Sequence, residues 1–293
     1  LIPFDDRDGL IWLNGEMVEW RDAKTHTLSH GLHYASLVFE GERAYGGTIF
    51  AGADHTDRLR ASSQMLDFDI PYSNEEVDAA KMAVLAANNI SDGYLRAFCW
   101  RGSEMMAISA QQTKTHVAIA AWEWPSYFDP ETKMRGITLE IAKWKRPSPE
   151  SAPVHAKAAG LYMICTLSKH EAEKKGFQDA LMLDYRGYIA EATGANVFFI
   201  DEEGTLHTPI PDCFLNGITR QTVIRLAETL QMKVVERHLQ PEDMASMKEC
   251  FLTGTAAEVT PVAKIGDYSF TPSDACRQLV TAYDDLVNGR ISL

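Results

Sequence analysis

The sequence predicts a mixed architecture, α+β or α/β, in two domains. Three observations predict it: strand-like runs and amphipathic helical stretches occur along the whole chain, each half carries both, and a proline-rich stretch from Trp124 to Pro130 separates the halves. There is no internal repeat and no low-complexity segment.

The elements follow in order. GLIWLNGEMVEW alternates around Asn14-Gly15, a dipeptide suited to the positive φ angles of a two-residue hairpin turn, so the chain is expected to open in β structure. ADHTDRLRASSQMLDF places Leu59, Ser62, Ser63 and Leu66 on one helical face. SNEEVDAAKMAVLAANN starts with a capping box from Ser73 to Glu76 and predicts a second helix. YLRAFCW and THVAIAAWEW return to strands rich in apolar and aromatic residues. The prolines that follow cannot continue a central strand. Beyond them ITLEIAKW, DALMLDY, NVFFID and ECFLTG read as strands, and LYMICTLSKHEAEKKG and TRQTVIRLAETLQM as helices; in the latter Val223, Leu226, Ala227 and Leu230 fall at i, i+3, i+4 and i+7. The expected division is a smaller N-terminal α/β domain over 1–123, a connecting loop over 124–134 and a larger C-terminal domain over 135–293.

Composition narrows the function. With 293 residues, 45% hydrophobic and 24% charged, the chain can build a large core or two modest ones and is too apolar for disorder. A net charge of −13 argues against a sequence-independent hold on nucleic acid or anionic membrane, because both need clustered Lys and Arg; a small anion reads only local charge. No apolar run approaches the length of a membrane span, and LIPFDDRDG lacks the pattern of a secretory leader, so a soluble cytoplasmic protein is expected. Cys99, Cys165, Cys213, Cys250 and Cys276 are scattered and form no CxxC spacing, and neither a disulfide framework nor a metal site is expected. His30 and His33 lack a third ligand at suitable spacing and read as structural.

Six segments can carry chemistry. SAPVHAKAAGLYM sets Lys157 among Ala156, Ala158, Ala159 and Gly160; small neighbours allow close approach of a flat ligand, and a lysine removed from water there is nucleophilic toward a carbonyl, the chemistry of a Schiff-base lysine. GYIAEATGANVFFI places Glu191 between two strand-like runs, and a carboxylate beside a pyridinium nitrogen is what an enzyme using pyridoxal phosphate requires. LNGITRQTVIRLAETL offers Gly217, Ile218 and Thr219 at a helix start, where main-chain N–H groups lack intrahelical partners and favour an anion; LTGTAAEVTPV repeats the arrangement at Gly254, Thr255 and Ala256. With Arg58 these two cradles would make a phosphate clamp. Finally, SHGLHYASLVFEGERAYGG and GYLRAFCWRGSEMM combine aromatics with arginine (Tyr34, Phe39, Arg43; Tyr94, Arg96), as suits a substrate that is part apolar side chain and part carboxylate.

Together these segments resemble the fold-type IV pyridoxal-phosphate-dependent aminotransferases, and among them the branched-chain amino-acid aminotransferases. The resemblance runs from IWLNGEMVEW through SHGLHYASLVFEGERAY, AKAAGLYM, YIAEATGANVFF and LNGITR to LTGTAAEVTPV, in family order. It implies an α+β, two-domain fold like that of D-amino-acid aminotransferase, with pyridoxal 5'-phosphate (PLP) bound in the C-terminal domain. It also implies amino-group transfer from leucine, isoleucine or valine to 2-oxoglutarate. Lys157 would attach the cofactor and act as acid and base, Tyr162 would bond its phenolic oxygen, and Glu191 would hold the pyridine nitrogen. Arg58, Ile218, Thr219 and Thr255 would bind the phosphate. Phe39, Tyr94, Trp124 and Tyr127 would form the apolar substrate wall, Arg96 would take the side-chain carboxylate of glutamate, and Thr255 and Ala256 the α-carboxylate. Tyr34 would serve the neighbouring subunit's site, so a homodimer, or a larger assembly of dimers, is implied. Ala107 stands where many relatives carry glycine and Ala195 where some carry glutamate, departures that bear on substrate preference. D-amino-acid and amine transaminases and a lyase share the scaffold, and a non-catalytic binder could keep it; YLR and FEGER favour the branched-chain reading.

Overall fold

The computed structural model describes residues 2–124 and 133–293. The chain forms two compact units, Leu1–Pro125 with Ala156–Leu161, and Ser126–His155 with Tyr162–Leu293. The short segment Ala156–Leu161, which the sequence reading groups with the C-terminal domain, is part of the first unit because its main chain pairs there, as described below. Tyr127 lies outside the described residues.

The first unit is built on a seven-stranded antiparallel sheet. The hairpin β1 (Leu10–Leu13) and β2 (Glu16–Glu19) turns at Asn14 and Gly15, both at positive φ, as the Asn-Gly signal predicts. Then come β3 (Leu37–Phe39), β4 (Glu42–Tyr45), β5 (Thr48–Ile49), β6 (Gly93–Arg101) and β7 (Thr115–Glu123). They run β2-β1-β7-β6-β4-β5, with β3 also paired to β6. Helices Gly52–Met65 and Asn74–Ala87 supply the apolar cover: Leu59, Val77 and Val84 are fully buried, as are the inward strand residues Leu95, Ala97 and Cys99. The predicted capping box is present, with Ser73 Oγ accepting from Glu76 N at 3.2 Å and Ser73 N donating to Glu76 Oε2 at 2.7 Å.

The second unit is a mixed sheet of nine strands: β8 (Ile137–Ile141), β9 (Asp179–Leu183), β10 (Ile189–Ala192), β11 (Asn196–Asp201), β12 (Leu206–Thr208), β13 (Val234–Glu236), β14 (Met247–Gly254), β15 (Glu258–Ile265) and β16 (Tyr268–Ser269). The path β10-β9-β8-β15-β14-β11 is closed by a β10–β11 pairing, so six strands form a ring. One core cluster draws on every strand of it, including Leu139, Leu181, Ile189, Val197, Leu252 and Val262. Helices Met163–Lys174, Ile218–Thr229 and Asp274–Val287 pack against β9, β14 and β15. Strands and helices together make the protein α+β. Among the described residues, no helix is long and apolar enough to cross a membrane.

Candidate active site

In the first unit a short main-chain pairing fixes Lys157. Phe39 N donates to Lys157 O at 3.1 Å, Lys157 N donates to Ser62 Oγ at 3.0 Å, and Val38 bridges Ala158 in antiparallel register. Ala156 and Ala158 are buried, which explains the small residues flanking Lys157; the lysine is half-buried, its Nζ 5.1 Å from the centre of the Phe39 ring. Ser62 stands one turn beyond Arg58 on helix Gly52–Met65, so the same helix holds the lysine's main chain and presents the arginine.

Arg58 is clamped by Glu40, which follows β3. Its Nε donates to Glu40 Oε1 and its Nη2 to Oε2, each at 2.7 Å, while His55 Nδ1 lies 2.6 Å from Oε2. Glu40 is fully buried. Burial alone would raise its pKa; Arg58, by charge and hydrogen bonds, and His55 overcome that and hold the carboxyl well below the usual range, so it is ionised at neutral pH.

Phe39, Tyr94, Trp124 and Arg96 also lie in this unit. Arg96 lies over the rings of Phe39 and Tyr94, 4.7 and 5.3 Å from their centres, and donates to the Tyr94 hydroxyl at 2.9 Å. Tyr94 packs against Trp124 at 5.6 Å. A Cβ at Gly41 would overlap the Tyr94 hydroxyl, so glycine there lets the ring sit. Tyr34, at the end of the short helix His30–Tyr34, is 44% exposed, its ring tilted 34° against that of His30 with the centres 4.6 Å apart.

In the second unit the strand ends gather a different set. Glu191 and Asn196 face each other across the β10–β11 closure. The Asn196 carboxamide donates to Glu191 Oε2 at 3.2 Å and to Leu215 O at 3.0 Å, and accepts from Gly217 N at 3.2 Å. Gly217 caps helix Ile218–Thr229 in extended backbone, with no side-chain cap and no acidic residue in the first turn, and a Cβ on it would overlap Asn196 Oδ1. Ile218 and Thr219 are buried, and no acidic side chain of the first turn offsets the positive end of the helix dipole, a polarity that favours an anion. Arg146 Nε lies 3.4 Å from Glu191 Oε1, and Arg146 is itself buried, its N–H donating to Leu183 O at 2.8 Å. Gly254 packs close to Ala195, and Thr255 and Ala256 make the turn into β15. Tyr162 is half-buried at the start of helix Met163–Lys174.

Four residues of these clusters escaped the sequence reading. Asn196 heads an apolar run, and nothing in the letters shows that its carboxamide ties a carboxylate to a helix cap. Arg146 lies in a proline-flanked segment with no periodic pattern. For Glu40 and His55 a signal existed: His55 and Arg58 are three apart on a predicted helix and share a face. The five cysteines are buried and form no disulfide among the described residues; burial pushes the thiols of Cys99, Cys213 and Cys276 up to about 12 and that of Cys165 up to about 11, so none of these four offers a thiolate at neutral pH. The two departures are structural neighbours of other groups: the Ala107 carbonyl accepts from His30 Nε2 at 3.0 Å, and Ala195 is buried beside Gly254.

The first unit thus carries a lysine and a clamped arginine, and the second, by itself, a carboxylate and a helix terminus with no acidic residue in its first turn. Residues 37–265 match the family described as amino-transferase class IV. The chain belongs to that family. It is 42% identical over 294 residues to the branched-chain-amino-acid aminotransferase of Pseudomonas aeruginosa, covering 97% of this chain and 95% of the relative. Its fold matches that of the T.th. branched-chain amino acid aminotransferase with pyridoxamine 5'-phosphate at a TM-score of 0.94, with 35% identity over 97% of this chain and 96% of the other. The same T.th. enzyme complexed with N-(5'-phosphopyridoxyl)-L-glutamate matches at 0.92, with equal identity and coverage.

Proposed function

We propose that the protein is a PLP-dependent aminotransferase that moves the amino group of leucine, isoleucine or valine to 2-oxoglutarate, giving branched 2-oxo acids and L-glutamate. One observation carries the reading most: Lys157, Arg58 and the wall of Phe39, Tyr94 and Arg96 converge on β3, β6 and one helix of a single unit. The names of the relatives point the same way.

The residues present fit PLP. Thr253 pairs with Asn196 across the β11–β14 ladder, and its buried Oγ1 has no hydrogen-bond partner among the described residues, as a group completed by a ligand would. The helix start at Ile218 lacks any acidic side chain in its first turn, which suits a phosphate. Arg58, Ile218, Thr219 and Thr255 would bind the phosphate, Tyr162 the phenolic oxygen and Glu191 the pyridine nitrogen, and Lys157 would attach the aldehyde. When bound, the cofactor supplies a conjugated, protonated ring that stores the electron pair released from the amino acid's α-carbon.

The side chains do the rest. Lys157 Nζ would take the substrate's α-proton as base and give it back as acid. Glu191 would hold the pyridine nitrogen in its protonated form, with Arg146 Nε 3.4 Å from one carboxylate oxygen and the Asn196 carboxamide donating to the other. Phe39, Tyr94, Trp124 and Tyr127 accept a branched apolar side chain; Arg96, propped by the Tyr94 hydroxyl, binds the second carboxylate of glutamate. Thr255 and Ala256 take the α-carboxylate. Tyr34, 44% exposed, would serve a neighbouring subunit's site in a homodimer, and the protein would work in the cytoplasm. Adding L-leucine and then D-leucine to the purified, PLP-loaded protein tests the reading: L-leucine should bleach the visible band of the bound cofactor. Bleaching by D-leucine alone would refute the L-branched-chain assignment.

A further inference from the structure

We propose that Glu40, backed by His55, is the positioning residue that lets Arg58 recognise phosphate by direction and not by net charge. The inference rests on the reading of Arg58 as a phosphate ligand. Arg58 stands on a long flexible stem and its side chain is 16% exposed, so without a fixed partner its guanidinium could adopt many orientations. Glu40 removes that freedom by engaging the Nε–Nη2 edge with both oxygens at 2.7 Å, which fixes the plane of the group and the aim of its Nη1 edge. The carboxylate is itself immobile. Its main-chain N–H donates to Ala97 O of β6 at 2.7 Å, and Oε2 lies 2.6 Å from Nδ1 of His55, a residue buried on the same helix three positions before Arg58.

The pair also has an electrostatic consequence. A fully buried, ionised Glu40 cancels the formal charge of Arg58, so the two together attract a dianion only weakly at long range. If charge alone governed phosphate capture, removing the carboxylate would strengthen it. If orientation governs it, the same change weakens it.

The test compares binding of PLP with binding of pyridoxal, which lacks the phosphate, to cofactor-stripped wild type, Glu40→Gln and Glu40→Asp by fluorescence titration. Wild type should prefer PLP. Glu40→Gln should cut the PLP-to-pyridoxal preference by about tenfold, with pyridoxal affinity within about twofold of wild type. Glu40→Asp keeps the charge but not the two-oxygen reach, and should lose preference in the same direction; it also serves if the glutamine variant does not fold. An unchanged or increased preference in either folded variant, or a parallel fall for both ligands, overturns the proposal. A wild type that binds PLP no better than pyridoxal overturns instead the assignment of Arg58 on which it rests.

Discussion

Replacing Asn196 by alanine removes the joint between the ring closure and the helix cap. Asn196 is 4% exposed and makes three hydrogen bonds, to Glu191, Leu215 O and Gly217 N, each between 3.0 and 3.2 Å. A buried hydrogen bond contributes about 1 kcal/mol net, more toward a charged group, so the loss sums to about 3–4 kcal/mol. For a chain of this size that corresponds to a fall in melting temperature of roughly 6 °C. Asn196→Asp keeps the acceptor for Gly217 N but sets a second carboxylate beside Glu191, and should be no more stable than the alanine variant. Thermal unfolding followed by circular dichroism reads both. An Asn196→Ala protein melting within about 2 °C of wild type would show that the three bonds are replaced by water at no net cost and that the joint is not structural.

Phe251 and Phe198 are fully buried and stacked at 5.0 Å on the face of the second sheet opposite its ring core, so Phe251→Ala should cost about 3–5 kcal/mol in urea unfolding, against less than about 1.5 kcal/mol for Phe251→Leu. Glu40 has a folded pKa lowered from 4.5, so near pH 4 the folded protein binds fewer protons there than the unfolded chain; its stabilisation is present above that value and is lost as pH falls toward the lowered one. Glu40→Gln should therefore flatten the acid limb of a stability-versus-pH curve, and an identical limb would refute the assignment. Arg96→Leu should lower kcat/KM for glutamate by about 10- to 100-fold and for leucine by less than about threefold, and equal losses would remove Arg96 from the role of carboxylate ligand.

Local chemistry made the first unit readable: Asn14-Gly15, the Ser73–Glu76 box and the buried Leu59, Ser62 and Ser63 each act within a few residues. The ring of the second unit was not readable as such. Its closure depends on the one register pair Glu191–Asn196, a long-range match that no local periodicity encodes, and its short strands β12, β13 and β16 are two or three residues long. The C-terminal helix Asp274–Val287 also escaped; its N-cap Ser273 is bound by Glu249 from another strand, so its start is set by tertiary contact. At the site, residue types that carry chemistry were legible as letters, whereas Arg146 and Asn196 act through other side chains and become visible only when the fold brings them together; for Glu40 and His55 the one sign was the three-residue spacing of His55 and Arg58.

The attachment of PLP to Lys157 is the claim on which the rest depends, and reduction of the PLP-loaded protein with sodium borohydride followed by peptide mass mapping tests it most directly. A phosphopyridoxyl group should be found on the peptide containing Lys157, and Lys157→Ala, folded by circular dichroism, should carry none. A label on any other lysine, or an unlabelled Lys157 in protein that has bound PLP, would contradict the account.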